Sequence, residues 1–163
     1  YLNGKYNSLL TSNFSPTGAP VITGCTTIGS RAANPGINGA RFYDIDCSGK
    51  PTVNSPRWAL NLGYERTFEL SGDLALIFGA RGNIESSRFN NTNYRPEEKQ
   101  DGFATADAYL TLESMDSWSI TGFINNITDE EILARAGTRP ILDFPVGTLR
   151  PPRTYGVRVG FSF

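Results

Sequence analysis

The sequence predicts an all-β chain, about six antiparallel strands belonging to an up-and-down transmembrane β-barrel. Three observations predict it. Stretches of strand length alternate apolar with polar residues, which lays one apolar face along each strand. Their connections alternate between short and long, the arrangement in which tight turns close one rim of a barrel and long loops the other. The composition, with 17 Gly, 10 Phe, 7 Tyr and only 39% hydrophobic residues, is that of a turn-rich β protein.

The first stretch, "YLNGKYNSLL", reads as a strand, and residues 11–50, dense in Gly, Pro, Ser, Thr and Asn, read as a long loop. "RWALNLGYERTFEL" places Trp58, Leu60, Leu62, Tyr64, Phe68 and Leu70 on one face and Arg57, Asn61, Glu65, Thr67 and Glu69 on the other. Arg66 falls on the apolar face, near a strand end from which a long side chain snorkels to an interface. After the tight turn "SGD", the stretch "LALIFGARGNIESSRF" sets Leu74, Leu76, Phe78 and Ala80 against Ile77, Arg81, Asn83 and Glu85. The polar loop "NNTNYRPEEKQDG" leads to "FATADAYLTLES", where Ala106, Ala108, Leu110 and Leu112 oppose Thr105, Asp107, Tyr109, Thr111 and Glu113. "MDS" is a second tight turn, and "WSITGFINNITD" carries Trp118, Ile120 and Ile124 on one face. Residues 129–152 read as another long loop, with at most a turn of helix at "DEEILARA". In the closing strand, Tyr155, Val157, Val159, Phe161 and Phe163 alternate with small or polar residues. Trp58, Tyr64, Trp118 and Tyr155 fall near strand ends, where an interfacial aromatic girdle belongs.

Fifteen basic and 16 acidic residues leave a net charge of −1, and no Lys/Arg cluster marks a nucleic-acid surface. No apolar run approaches the roughly 20 residues of a membrane helix. The sequence opens at Tyr1 without an initiator Met or a charged-then-apolar leader, and whether a signal was removed or the start is internal stays open. There is no histidine, which removes the Ser-His-Asp triads and the metallohydrolase motifs. Without a P-loop or a strand-following G-x-G-x-x-G either, the chain is expected to be no enzyme and to carry no cofactor. Cys25 and Cys47, the only cysteines, point in an exported chain to a disulfide closing the loop of residues 11–50. A metal pair is the alternative, and two thiols without a third ligand make a poor zinc site. Asp44 and Asp46 in "YDIDC" lack the remaining ligands of a calcium loop and read as solvated charge. Arg57, Glu65, Glu69, Arg81, Glu85, Asp107 and Glu113 are expected to line a lumen as a solvated, mutually paired wall.

Four stretches resemble the C-terminal part of TonB-dependent outer-membrane receptors: "YLNGKYNSLL", "NSPRWALNLGYERTFEL", "GFINNITDEEI" and "PPRTYGVRVGFSF". The third is similar to the family's Asn-Leu-x-Asp motif after the penultimate strand, with Ile127 for Leu. The fourth resembles its last strand, which also serves as the assembly signal read by the barrel assembly machinery. Arg158 stands where that signal usually has glycine, between Gly156 and Gly160.

The resemblance implies that residues 1–163 are the last portion of a 22-stranded barrel, with its plug domain and TonB-contacting segment upstream. Six strands alone close no barrel, since single-chain barrels begin at about eight. An open sheet in lipid would leave its edge backbone groups unsatisfied. The implied activity is energy-coupled import of a scarce nutrient (a ferric siderophore, cobalamin or an oligosaccharide) from the outer membrane of a Gram-negative bacterium. Implied partners are outer-membrane lipid, the rest of the barrel and plug, and TonB, with no nucleic acid. Tyr43, Tyr94 and Phe144, in the long loops, are candidate ligand contacts. A passive porin-like barrel and a secreted β-sandwich binding module are the rival readings; the sandwich would bury its apolar faces against each other and dissolve without detergent.

Overall fold

The computed structural model describes residues 1–33, 39–70, 72–114, 117–139 and 144–161. In chain order the strands are β1 (Leu10–Ser15), β2 (Thr26–Ala32), β3 (Arg41–Asp46), β4 (Ala59–Glu69), β5 (Leu74–Glu85), β6 (Arg88–Phe89), β7 (Lys99–Gln100), β8 (Phe103–Ser114), β9 (Trp118–Asn125), β10 (Leu133–Arg139), β11 (Phe144–Leu149) and β12 (Thr154–Phe161). Pro96–Glu98 make a single 3₁₀ turn, and among the described residues there is no α-helix. The chain forms two compact units: Trp58–Glu85, Gly102–Glu131 and Pro151–Phe163 in one; Tyr1–Arg57, Ser86–Asp101 and Ile132–Arg150 in the other.

The first unit is an open antiparallel meander in the order β12-β9-β8-β5-β4. Its register sorts the two faces. Phe68, Leu76, Leu112, Ile120 and Val159 are mutual partners across all five strands, as are Tyr64, Ala80, Ala108, Ile124 and Tyr155. One residue along, Thr67, Ile77, Thr111, Thr121 and Arg158 make the corresponding row of the opposite face. Because the side-chain period is two, a slip of one residue anywhere would mix these rows. The β4–β5 turn closes with the Leu70 amide donating to the Leu74 carbonyl at 2.9 Å, and Gly72 at φ 77° supplies the left-handed residue. The outer edges of β4 and β12 have no strand partner among the described residues.

The sheet therefore has five strands, not the six read from the sequence. The first stretch, residues 1–9, runs antiparallel to residues 49–57 instead: the Leu2 amide donates to the Arg57 carbonyl at 2.7 Å, the Tyr6 amide to Lys50 at 3.0 Å, and Lys5 bridges Pro51. Residues 11–50 are not simply loop. They hold a three-stranded sheet, β1-β3-β2, in which Tyr43, Ile45 and Cys47 point inward and are buried with Tyr94. Residues 129–152 contain the β10–β11 hairpin where a helical turn was expected; Ala, Glu and Leu favour helix locally, and cross-strand pairing overrides that preference. Phe163 lies outside the described residues.

Candidate functional site

Two surfaces and one cavity are the candidates. The first surface is the apolar face of the five-stranded sheet. Leu60, Leu62, Tyr64, Phe68, Phe78, Leu110, Ile120, Tyr155, Val157, Val159 and Phe161 all lie on it and all are exposed, up to 81% for Tyr155 and 71% for Val157. Tyr155, Val157, Val159 and Phe161, the residues expected in the assembly signal, are its edge row on β12. Covering side chains of this kind stabilises by about 1.5–3 kcal/mol each when complete. Leaving this many half-exposed in water forfeits on the order of 10 kcal/mol. A soluble monomer rarely presents so large a contiguous patch. Among the described residues Arg66 is the one charge on this face, and its guanidinium lies 5.5 Å from the Phe68 ring centre.

The opposite face is polar and is organised by two aromatic rings over glycines. The Tyr109 ring lies across Gly79, its partner on β5, so closely that any β-carbon there would overlap it. That reach carries the Tyr109 hydroxyl to the Glu65 carboxylate on β4, to which it donates. Phe123 covers Gly156 on β12 in the same way, and Arg158 stands over the Phe123 ring at 5.8 Å. Glycine admits the ring where a side chain would collide. Glu65, Glu69, Arg81, Glu85, Asp107 and Glu113, expected along a lumen, all fall on this face by register.

The "NNITD" stretch forms a tight clasp at the end of β9. Asn126, at φ 51°, is buried; its amide donates to Asp107 Oδ1 at 2.8 Å, and its side-chain oxygen accepts from the Glu130 amide at 3.0 Å. The Ile127 amide donates to the Ala106 carbonyl at 2.7 Å and the Thr128 hydroxyl to Ala104 at 2.9 Å, fastening the turn to β8. Asp129, at φ 58°, accepts from Arg153 Nη2 at 3.0 Å just before β12 begins. Asn and Asp tolerate this left-handed backbone better than other non-glycine residues. Two of the stretches singled out in the sequence are thus bonded to each other.

In the other unit, Cys25 and Cys47 are disulfide-bonded, with Cα atoms 5.0 Å apart. Tyr43 and Tyr94 are core residues: Tyr43 is 8% and Tyr94 3% exposed. The Tyr43 hydroxyl donates to the Gly18 carbonyl at 2.6 Å, and that of Tyr94 to Pro51. Burial, aided by the neighbouring Tyr6, pushes the Tyr94 phenol up to about 12. Neither ring presents a surface to a ligand, whereas Phe144 is exposed on β11. On the β1-β3-β2 sheet, hydrogen bonds from Arg31 and then Ser12 hold the Asp44 carboxyl below its ordinary value, and Ser48 does the same for Asp46.

The three long connections are stitched together inside this unit. Asn93 is one hub: its carbonyl accepts from the Gly24 amide at 2.8 Å and the Thr23 hydroxyl at 2.9 Å, and its side chain accepts from Asn13 at 3.1 Å. Glu98 is the other. Fully buried, its carboxylate accepts from Asn91 Nδ2 and the Thr138 hydroxyl, each at 2.9 Å, and from the Arg95 amide at 3.3 Å. The sequence reading missed Glu98, although Pro at the first helical position and Glu at the third form a recognisable start signal in "RPEE". A cavity of about 360 Å³ lies within this unit, lined from residues 12–22 and by Asn93, Arg95 and Thr138.

No protein-family model, curated protein or solved structure matches this chain.

Proposed function

We propose that the chain is part of an outer-membrane TonB-dependent receptor, its five-stranded sheet forming barrel wall and its second unit the loops of the outer rim. The observation that carries this reading is the single exposed apolar face running in register across all five strands. Such a face wants an apolar medium, and lipid supplies one along the whole width of the sheet. The strand connections support it as well: only four residues separate β4 from β5 and three separate β8 from β9, and the longer connections all leave the opposite ends of the strands. The free edges of β4 and β12 would pair with further strands of the same barrel, since open edges are not tolerated in hydrocarbon. Plug and TonB-contacting segment would belong to the upstream part of the polypeptide. The receptor would import a scarce nutrient such as a ferric siderophore, cobalamin or an oligosaccharide, driven through TonB.

The test is the intact mass of the native polypeptide purified in detergent from the outer-membrane fraction. A mass several-fold above 17.8 kDa, with the protein confined to that fraction, is the expected result. A native polypeptide of 17.8 kDa, or one that dissolves without detergent, would overturn the receptor reading in favour of an oligomeric pore or a soluble module.

A further inference from the structure

The loop unit contains a slot that the transport reading does not use. Its cavity of about 360 Å³ is lined by residues 12–17 and 19–22 together with Asn93, Arg95 and Thr138. Successive residues of a strand point to opposite faces. A cavity that touches Ser12, Asn13, Phe14 and Ser15 in turn therefore runs along the edge of β1 rather than across one of its faces. That edge is open, because among the described residues β3 is the one strand partner of β1.

The ladder decides which backbone groups face the slot. In an antiparallel pair, every second residue points both its N–H and its C=O at the partner, and the residues between point theirs away. The Cys47 amide donates to the Leu9 carbonyl at 2.8 Å, in step with the pairing of Leu10 and Asp46. Thr11 and Asn13 thus bond to β3, while Ser12 and Phe14 present both backbone groups outward. The far side of β3 agrees. There the Ala33 amide donates to the Ala40 carbonyl at 2.9 Å, which turns Phe42 and Asp44 toward β2 and leaves Tyr43 and Ile45 for Asn13 and Thr11. Outside the ladder, no backbone bond reaches Ser12 or Phe14 from another described residue.

The slot is also matched in charge and preformed. Arg95 is ion-paired with Glu97 at 3.7 Å, its amide donates to the Glu98 carboxylate at 3.3 Å, and the rest of the lining is uncharged. Gly18, at φ 77°, closes the turn after β1 by donating to the Ser15 carbonyl at 3.3 Å, and its own carbonyl accepts from the Tyr43 hydroxyl at 2.6 Å. A wall that need not be ordered on binding leaves more of the contact energy for affinity.

We infer that this slot binds a short extended peptide segment, about three residues long and without charge where it lies in the slot, as a strand added to β1. Running antiparallel, its first residue exchanges two backbone bonds with Phe14 and its third exchanges two with Ser12, at the separation of about 7 Å that two residues of strand set. Outward N–H and C=O groups at alternate residues are what an extended backbone pairs with, and a lining without unmatched charge disfavours ions of either sign. The inference stands whether or not the five-stranded sheet lies in a membrane.

The test is calorimetric titration of the full-length native protein, in detergent, with the capped tripeptide N-acetyl-Ala-Val-Ala-amide. The same peptide methylated on both alanine nitrogens, and maltotriose, are titrated beside it. The methylated peptide lacks the two donors to the Ser12 and Phe14 carbonyls and should bind at least about tenfold more weakly. The unmethylated peptide should slow amide hydrogen exchange within residues 10–17 and leave the five-stranded sheet unaffected. Ser12→Pro removes an outward N–H, which an edge strand tolerates, and should weaken peptide binding at least about tenfold. If that substitution unfolds the unit, the two peptides on the unaltered protein still decide. Equal binding of the two peptides, binding without protection of residues 10–17, or no binding of either peptide would each overturn the inference. Binding of maltotriose alone would overturn it in favour of a saccharide site.

Discussion

Replacing Leu110 with arginine tests what covers the apolar face. Leu110 lies on β8, a strand of 12 residues, and its neighbours on the face are Phe78 and Gly122. At a rise of about 3.4 Å per residue and a tilt of about 40°, β8 spans roughly 30 Å along a membrane normal. Its middle falls between Ala108 and Tyr109, so Leu110 is about 4 Å from the midplane. An arginine there costs about 2–4 kcal/mol if the face meets lipid. Leu112→Arg, one step nearer the short-turn rim on the same face, should cost about 1 kcal/mol as the guanidinium reaches the interface. Thr111→Arg, between them on the polar face, should stay within about 0.5 kcal/mol. The assay is urea unfolding of the full-length protein from phospholipid vesicles, comparing midpoints at constant slope. If Leu110→Arg and Thr111→Arg behave alike, the face does not lie in lipid and the reasoning fails. If Leu110→Arg and Leu112→Arg cost the same large amount, a protein core of uniform depth covers the face instead.

Four further outcomes follow from individual contacts. Replacing Cys25 and Cys47 with serine should remove about 3 kcal/mol of unfolded-chain restriction for a sequence separation of 22, seen as faster limited proteolysis within residues 1–57 while the five-stranded sheet stays protected. Gly79→Ala should destabilise by about 1–3 kcal/mol by displacing the Tyr109 ring, and a double-mutant cycle with Tyr109→Ala should recover most of that loss. Asn126→Ala should cost about 2–3 kcal/mol, since it strands the Glu130 amide and puts alanine at a positive φ; an unchanged unfolding midpoint would refute the clasp. Asp44 should titrate below 3.8 by NMR. Its folded value being the lower one, its contribution is present above that pH and is lost as pH falls through the folded value; Arg31→Gln should return the titration toward 3.8.

The sheet was legible because its signal is redundant. Each of its strands carries the period of two on its own, and a row such as Phe68, Leu76, Leu112, Ile120 and Val159 repeats the choice of face five times. The first stretch lacked that redundancy. Residues 1–9, expected as a strand, form none; they bond to residues 49–57 through backbone contacts and one bridge at Lys5, and nothing in either segment names the other. In β3 and the residue after it the alternation was present but outvoted: Tyr43, Ile45 and Cys47 turn inward between Phe42, Asp44 and Asp46, within a region whose Gly, Ser and Asn content reads as loop. Tyr43 and Tyr94 looked like ligand contacts for the same reason, because an aromatic in a polar loop resembles a recognition residue until a core is seen to need it.

That core explains why the second unit is ordered at all. Its apolar residues are too few to hold three connections, so polar groups take over. Asn93 and the buried Glu98 accept bonds from segments far apart in the chain, and each such bond in a dry site is expensive to break once its partners are in place. Bonds of this kind leave no periodic trace in a sequence, since one acceptor and one donor suffice and their spacing is set by the fold. Apolar patterning therefore announces the half of this chain that repeats. The half that carries the cavity is specified by single residues, and there Glu98 matters more than any stretch around it.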